Sequence, residues 1–152
     1  MLRIESNMDM VVNKLNLSLT TVNIDEMTRL QATTLLAQMR KRIHVRGMAT
    51  DSKPIGTYSP KYLKYVRPKH KRSTDSKVIL SLTRAMENGM ILFPITNGTA
   101  IGYATPELLQ RARWQEKRPA YGARAIFSPT KEELQLVNEI GNNYIAEHLT
   151  TV

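Results

Sequence analysis

Residues 23–47 read NIDEMTRLQATTLLAQMRKRIHVRG, and this stretch decides the fold. Asn23 followed by Glu26 predicts a helix start of the capping-box type, because each side chain can bond a backbone N–H of the first turn. Gly47 is typical of the residue that follows a helix end. We therefore predict one long helix from Ile24 to about His44. Its apolar residues recur at helical spacing: Ile24, Met27, Leu30, Leu35, Leu36, Met39 and Ile43.

The end of this helix opens a strongly basic part of the chain. Residues 40–72 hold 11 of the 22 Lys and Arg residues, against a single acid, Asp51. Proline and glycine interrupt residues 47–77, which predicts a long basic loop. Three of the cations lie in the last turns of the helix, where its dipole favours positive charge: Arg40, Lys41 and Arg42.

A helix and a hairpin are predicted next. Residues 75–89 predict a helix, with one apolar face formed by Val78, Ile79, Leu82 and Met86. Residues 90–95 and 99–103 are β-prone and flank Asn97-Gly98, a strong hairpin signal. Residues 107–118 predict a short helix or a structured loop.

The C-terminal part predicts a strand and a final helix. Residues 123–127 read as a short strand, and the helix then runs to about His148. It begins either at Ser128-Pro129, with proline in the first helical position, or at Thr130, in a capping box with Glu133. Its apolar stripe is Leu134, Val137, Ile140, Tyr144 and Ile145.

Residues 1–22 predict an N-terminal arm or edge strand, because Leu15, Leu17 and Leu19 alternate with polar residues. As an arm, the segment could add a strand to the sheet of a neighbouring subunit. Residues 23–152 then form a single α+β domain. In it, a long N-terminal helix and a C-terminal helix pack on a small antiparallel sheet, with the basic loop at 47–77.

The composition favours an anionic partner, because the net charge is +9 and the sequence pI is about 10.0. The absence of cysteine excludes disulfides and cysteine-ligated zinc. No apolar run approaches the roughly 20 residues of a membrane span, and the N-terminus lacks the pattern of a secretory signal. We expect no membrane partner.

No enzyme motif is present in the sequence, so we predict no catalytic residue, cofactor or metal site. His44, His70 and His148 are far apart and have no second ligand at metal-binding spacing. Residues 56–61, GTYSPK, lack the second glycine and the Lys-Ser/Thr pair of a phosphate-binding loop.

The basic loop carries the candidate binding residues. Its cations could follow nucleic-acid phosphates or contact acidic protein surfaces: Lys61, Lys64, Arg67, Lys69, Lys71 and Arg72. Tyrosines are interleaved with them, and tyrosine rings can stack on bases. A solvated basic loop with locally packed tyrosines gives the same pattern. We expect Tyr58, Pro60 and Tyr62 to fix the path of the loop.

Four segments occur in a characteristic order: KPIGTYSPKYLKY (53–65), KVILSLTRAMENG (77–89), AIGYATP (100–106) and YGARAIFSPTKEELQLVNEI (121–140). They resemble P-x-G-x-(W/Y)-x-P-L-S-x-x-Y, I-L-x-x-T-G-x-L-x-x-S-I, V-x-I-G-T-x-x-x-Y-A and P-A-R-P-F-L-G-L-S of the phage virion-morphogenesis proteins. This family comprises small neck, tail-completion and tail-terminator proteins of tailed bacteriophages. Arg84 stands where the family tends to have glycine.

The resemblance implies a structural virion protein, assembled in the host cytoplasm. It would form a homo-oligomeric ring of about six or twelve copies at the head–tail junction, bound to the portal or to adjacent neck or tail proteins. The basic loop would face DNA in the lumen or a neighbouring ring. Two alternatives stay open: a small basic nucleic-acid-binding protein, and an assembly chaperone absent from the mature virion.

Overall fold

The computed structural model describes residues 22–150. The predicted arm, with Leu15, Leu17 and Leu19, lies outside the described residues. The fold is α+β, as predicted. In chain order its elements are α1 (Ile24–Arg40) with a π-helical extension (Lys41–Arg46), α2 (Pro60–Tyr65), α3 (Ala85–Gly89), β1 (Met90–Ile95), β2 (Gly98–Tyr103), α4 (Pro106–Lys117) and α5 (Lys131–Thr150).

The long helix begins and ends where its sequence signals predict. The Asn23 side chain accepts a hydrogen bond from the Glu26 N–H at 3.1 Å. The π-helical extension ends at Gly47, which has a left-handed φ of 67°. A Cβ at this position would lie 2.3 Å from the Val78 carbonyl oxygen. Glycine is therefore required here both by the backbone conformation and by the close approach of residue 78.

Helix α5 packs antiparallel against α1, and two polar contacts fix their register. The Gln31 side chain donates to the Val137 carbonyl at 2.8 Å, and the Tyr144 hydroxyl donates to Glu26 at 2.9 Å. Helix α1 also contacts both strands of the hairpin. The long helix is thus the element against which the sheet and the C-terminal helix pack.

The predicted hairpin is confirmed as an antiparallel pair running from Met90↔Tyr103 to Ile95↔Gly98. Met90 is buried with Leu36 and Met39 of the long helix. The partly buried residues that complete this cluster are Leu35, Leu92, Ile101, Tyr103 and Phe127. One face of the hairpin therefore forms the core with α1.

A second core cluster lies under the basic segment, which is packed against the domain along part of its length. Ile55 is fully buried and Tyr58 is buried. Ala49 of the same segment is buried with them, and the other buried members come from elsewhere in the chain: Ile43, Val78, Tyr121 and Ile126. Residues 47–77 therefore supply core residues as well as charge.

The helix predicted over 75–89 is wrong for most of its length, because α3 begins only at Ala85. The backbone of the preceding residues bonds to the basic segment instead of to itself. Val78 N–H donates to the Gly56 carbonyl at 3.1 Å, and Ile79 and Leu80 N–H both donate to the Tyr58 hydroxyl. These long-range partners replace the i→i−4 bonds of a helix.

The strand predicted over 123–127 is also wrong, because side chains satisfy its backbone groups. A single Glu116 oxygen accepts from Ile126 N–H at 2.8 Å and from Phe127 N–H at 3.0 Å. The Ile126 carbonyl accepts from Arg42. Ala123 has a left-handed φ of 45°, and the Ala125 carbonyl accepts from the Thr50 N–H at 3.1 Å, so this segment needs no neighbouring strand. Helix α5 then starts with the capping box of Thr130 and Glu133, the second of the two predicted starts.

Arg42 is buried, so the helix dipole is not the main reason for its position. Its Nε donates to Glu133 at 2.8 Å. The same guanidinium donates to three backbone carbonyls, those of Met48, Ile126 and Ser128. Because Glu133 also caps α5, one side chain joins the end of α1, residue 48, residues 126–128 and the start of α5.

We expect Arg42→Met to lower the free energy of unfolding by about 3–5 kcal/mol, because it leaves the buried Glu133 carboxylate without its cation. Urea denaturation measures the effect. The exposed neighbour provides the control: Lys41→Met should change stability by no more than about 0.5 kcal/mol. Equal effects of the two substitutions would contradict the role given to Arg42.

Candidate interaction surfaces

The short helix α2 presents part of the basic segment to solvent. Ser59 caps it by accepting from the Tyr62 N–H at 3.3 Å, and Pro60 occupies its first turn. Lys61 and Lys64 are three residues apart, so they lie on one side of the helix. A 3-10 turn (Pro68–His70) follows. Four of the predicted interaction residues are exposed: Lys61, Lys64, Lys69 and Lys71.

Arg67 and Arg72, the two predicted arginines, have structural contacts. Arg67 is only 1% exposed, which corrects its assignment to the surface. Its Nε donates to the Ser73 carbonyl at 2.5 Å, and its guanidinium lies 4.8 Å from the Tyr58 ring centre. Arg72 is partly buried and donates to the Leu82 carbonyl at 2.8 Å. The two arginines donate hydrogen bonds to backbone carbonyls inside the domain, whereas the four lysines are exposed to solvent.

Tyr58, Pro60 and Tyr62, which we expected to fix the path of the loop, lie at the start of α2 and just before it. The Tyr58 ring stacks on Tyr62 at 4.9 Å, and its hydroxyl bonds the backbone of residues 79 and 80. Pro60 is in the first turn of α2. Tyr58 therefore connects the basic segment to the chain that follows it.

A cleft of about 470 Å³ opens beside Tyr62, between α2, residues 80–86, α4 and the 3-10 turn Pro119–Tyr121. We call it the arginine cleft, because three guanidinium groups line it: Arg84, Arg111 and Arg118. Neither Asp nor Glu is among its lining residues. Its apolar lining includes Leu80, Leu82 and Met86.

The tyrosines of the arginine cleft do not offset its positive charge. Burial raises the pKa of both the Tyr62 and Tyr121 phenols, so both are neutral at pH 7. Arg118 lies over the Tyr121 ring at 5.2 Å. Within residues 22–150 no hydrogen bond or ion pair at bonding distance involves the side chains of Arg84 or Arg111, but Arg111 interacts electrostatically with Glu107, one turn earlier on α4.

Sequence reasoning missed the arginine cleft. Arg84 comes from the turn before α3, Arg111 from the middle of α4, and Arg118 from its C-cap. Two of them share one side of α4 at helical spacing with Gln115, which was a detectable signal. Their approach to residue 84 depends on the fold.

The outer face of the hairpin is a second candidate surface. Residues 90–103 carry no charged side chain. Phe93 and Ile95 alternate along β1 with Leu92, which packs on α1, and they are 36% and 56% exposed. Ile95 also borders a cavity lined in part by α1 residues. The residues of β2 on the same face are all small: Gly98, Ala100 and Gly102. The result is a flat apolar surface.

Within residues 22–150 no cluster of His, Asp and Glu side chains could hold a metal ion. No helix in this part of the chain is long and apolar enough to cross a membrane. Comparison with known proteins finds no matching family model, no matching curated protein and no matching solved structure.

We expect the quadruple variant Lys61→Ala, Lys64→Ala, Lys69→Ala, Lys71→Ala to unfold at nearly the wild-type urea concentration, because exposed side chains contribute little to stability. Arg67→Ala alone should cost about 2 kcal/mol or more, since it removes a fully buried side chain and leaves a cavity. The opposite order of stabilities would show that Arg67 is not a core residue.

Proposed function

We propose that this chain is a structural virion protein of a tailed phage. It forms a homo-oligomeric ring of about six or twelve copies at the head–tail junction, where it joins head to tail and seals the packaged DNA. The observation that carries the proposal is the charge-free hairpin with its apolar outer face. That surface fits contact between copies of a chain whose net charge is +9.

The hairpin has the features of a surface that another subunit covers. Among residues 22–150 no third strand pairs with β1 or β2, so each strand has one unpaired edge. Exposed strand edges are usually protected by charged residues or proline. Pro94 lies in β1, but β2 has neither protection. An apolar contact also avoids bringing the cations of two copies together.

The conformation of Arg84 supports the resemblance to the virion-morphogenesis family. Its φ is +59°, in the left-handed region. Glycine adopts this conformation without steric cost, and glycine is what the family tends to have at the corresponding position. The turn before α3 thus has the geometry that the family's residue suits.

The exposed lysines add to this proposal. In a ring, Lys61, Lys64, Lys69 and Lys71 would be repeated in every copy and form a positively charged band. Such a band suits packaged DNA in the lumen or an acidic surface of the portal or of an adjacent tail protein.

We expect the wild-type chain to form a closed oligomer and the variant Phe93→Thr, Ile95→Thr to be a folded monomer, because the apolar contact is lost while β-propensity is kept. Size-exclusion chromatography with light scattering measures both masses. The control is Val45→Thr, since Val45 is an exposed apolar residue outside the hairpin; it should keep the wild-type mass. Equal masses for all three proteins would exclude the hairpin as the contact.

Quantitative mass spectrometry of purified virions tests whether the chain is part of the virion and in how many copies. We expect about six or twelve copies of this chain per portal ring. Absence from the particle would contradict the structural role and favour the assembly-chaperone alternative.

A nucleic-acid-binding protein is the second candidate, and the four exposed lysines favour it. If they bind phosphates, affinity for random-sequence duplex DNA should fall steeply with salt, and the quadruple lysine variant should show a shallower slope. An unchanged slope would remove the lysines from any DNA contact.

A further inference from the structure

We propose that the arginine cleft binds an acidic peptide segment of another protein, with carboxylates paired to Arg84 and Arg111. This inference goes beyond the ring proposal, because it concerns a different surface and gives the chemistry of a second partner. It holds whether that partner is part of the virion or assists its assembly.

The first argument is unbalanced charge. Arg111, Gln115 and Arg118 lie four and three residues apart on one side of α4, and Arg84 faces them across the cleft. No carboxylate lines this space, and Glu107, which interacts electrostatically with Arg111 from outside the lining, offsets only one of the three cations. Guanidinium groups bind carboxylates through paired, charge-assisted hydrogen bonds. An acidic side chain entering the cleft would supply the missing counter-charge.

The second argument separates a peptide from nucleic acid. Leu80, Leu82 and Met86 give the cleft an apolar lining, which suits the side chains of a peptide. The volume of about 470 Å³ suits a few residues of a peptide.

The third argument is the backbone of Arg84. Its φ of +59° is disfavoured for any residue with a Cβ, and its side chain has no partner among residues 22–150. Such conformations persist at functional sites more often than elsewhere. Leu80, a second residue of the cleft lining, also has a positive φ, of 46°, so two of the six non-glycine residues with positive φ among residues 22–150 border this space.

The test uses the full chain and a fluorescein-labelled peptide with the repeat Glu-Leu-Glu-Leu-Glu-Leu, with binding followed by fluorescence anisotropy at low salt. We expect binding of this peptide and none of the matched Gln-Leu repeat. Arg84→Gly and Arg111→Gln should each weaken binding about three- to tenfold. Arg84→Gly suits the left-handed backbone, so the variant should fold, and its urea midpoint verifies this.

The control is Arg113→Gln, which removes the same charge from α4 but from outside the cleft; it should leave the affinity unchanged. Equal weakening by Arg113→Gln and Arg84→Gly would show only general attraction to a basic protein and would overturn the proposal. So would the absence of peptide binding. If duplex DNA displaces the peptide from the wild-type chain but not from Arg84→Gly, the cleft binds nucleic acid instead. If the wild-type chain is a monomer but still binds the peptide, the ring proposal is contradicted and the proposal for the arginine cleft stands.

Discussion

The buried ion pair between Arg42 and Glu133 is the interaction on which the rest of the structure depends. Glu133 serves two elements, because one oxygen accepts from Arg42 and the other caps the start of α5. Arg42 in turn satisfies the carbonyls of residues 48, 126 and 128. A buried charge is costly unless it is paired and fully hydrogen-bonded, and here four contacts meet that condition. The polar centre thereby sets where α5 begins and lets residues 123–127 run without a strand partner.

Arginine side chains also bond backbone carbonyls in the basic segment. Arg67 and Arg72 bond backbone carbonyls within the domain, while the lysines of this segment stay in solvent. A planar guanidinium can serve several carbonyls at once, whereas an ammonium group keeps its water more strongly. The surface that remains offers two different chemistries. The hairpin gives an apolar, charge-free face, which we propose contacts copies of the same chain, and the arginine cleft gives an excess of positive charge, which we propose binds an acidic partner.

The sequence by itself determined the elements whose signals are local. The capping residue Asn23 and the terminal Gly47 delimit the long helix, and Asn97-Gly98 places the hairpin turn. Thr130 and Glu133 mark the start of the last helix. Each signal acts within a few residues, through a cap, a turn conformation or a hydrophobic period, so it needs no knowledge of the rest of the chain. The α+β class followed from these elements alone.

Only the tertiary structure decided what the intervening residues do. Residues 75–89 have an apolar pattern suited to a helix, yet the N–H groups of Val78, Ile79 and Leu80 bond Gly56 and Tyr58, about twenty residues earlier. Residues 123–127 are β-prone, yet Glu116 and Arg42 take their backbone groups. Sequence shows that a side chain is basic but not whether it is buried, so the interior positions of Arg42 and Arg67 were hidden. The arginine cleft was hidden because only long-range packing brings Arg84 to the two arginines of α4.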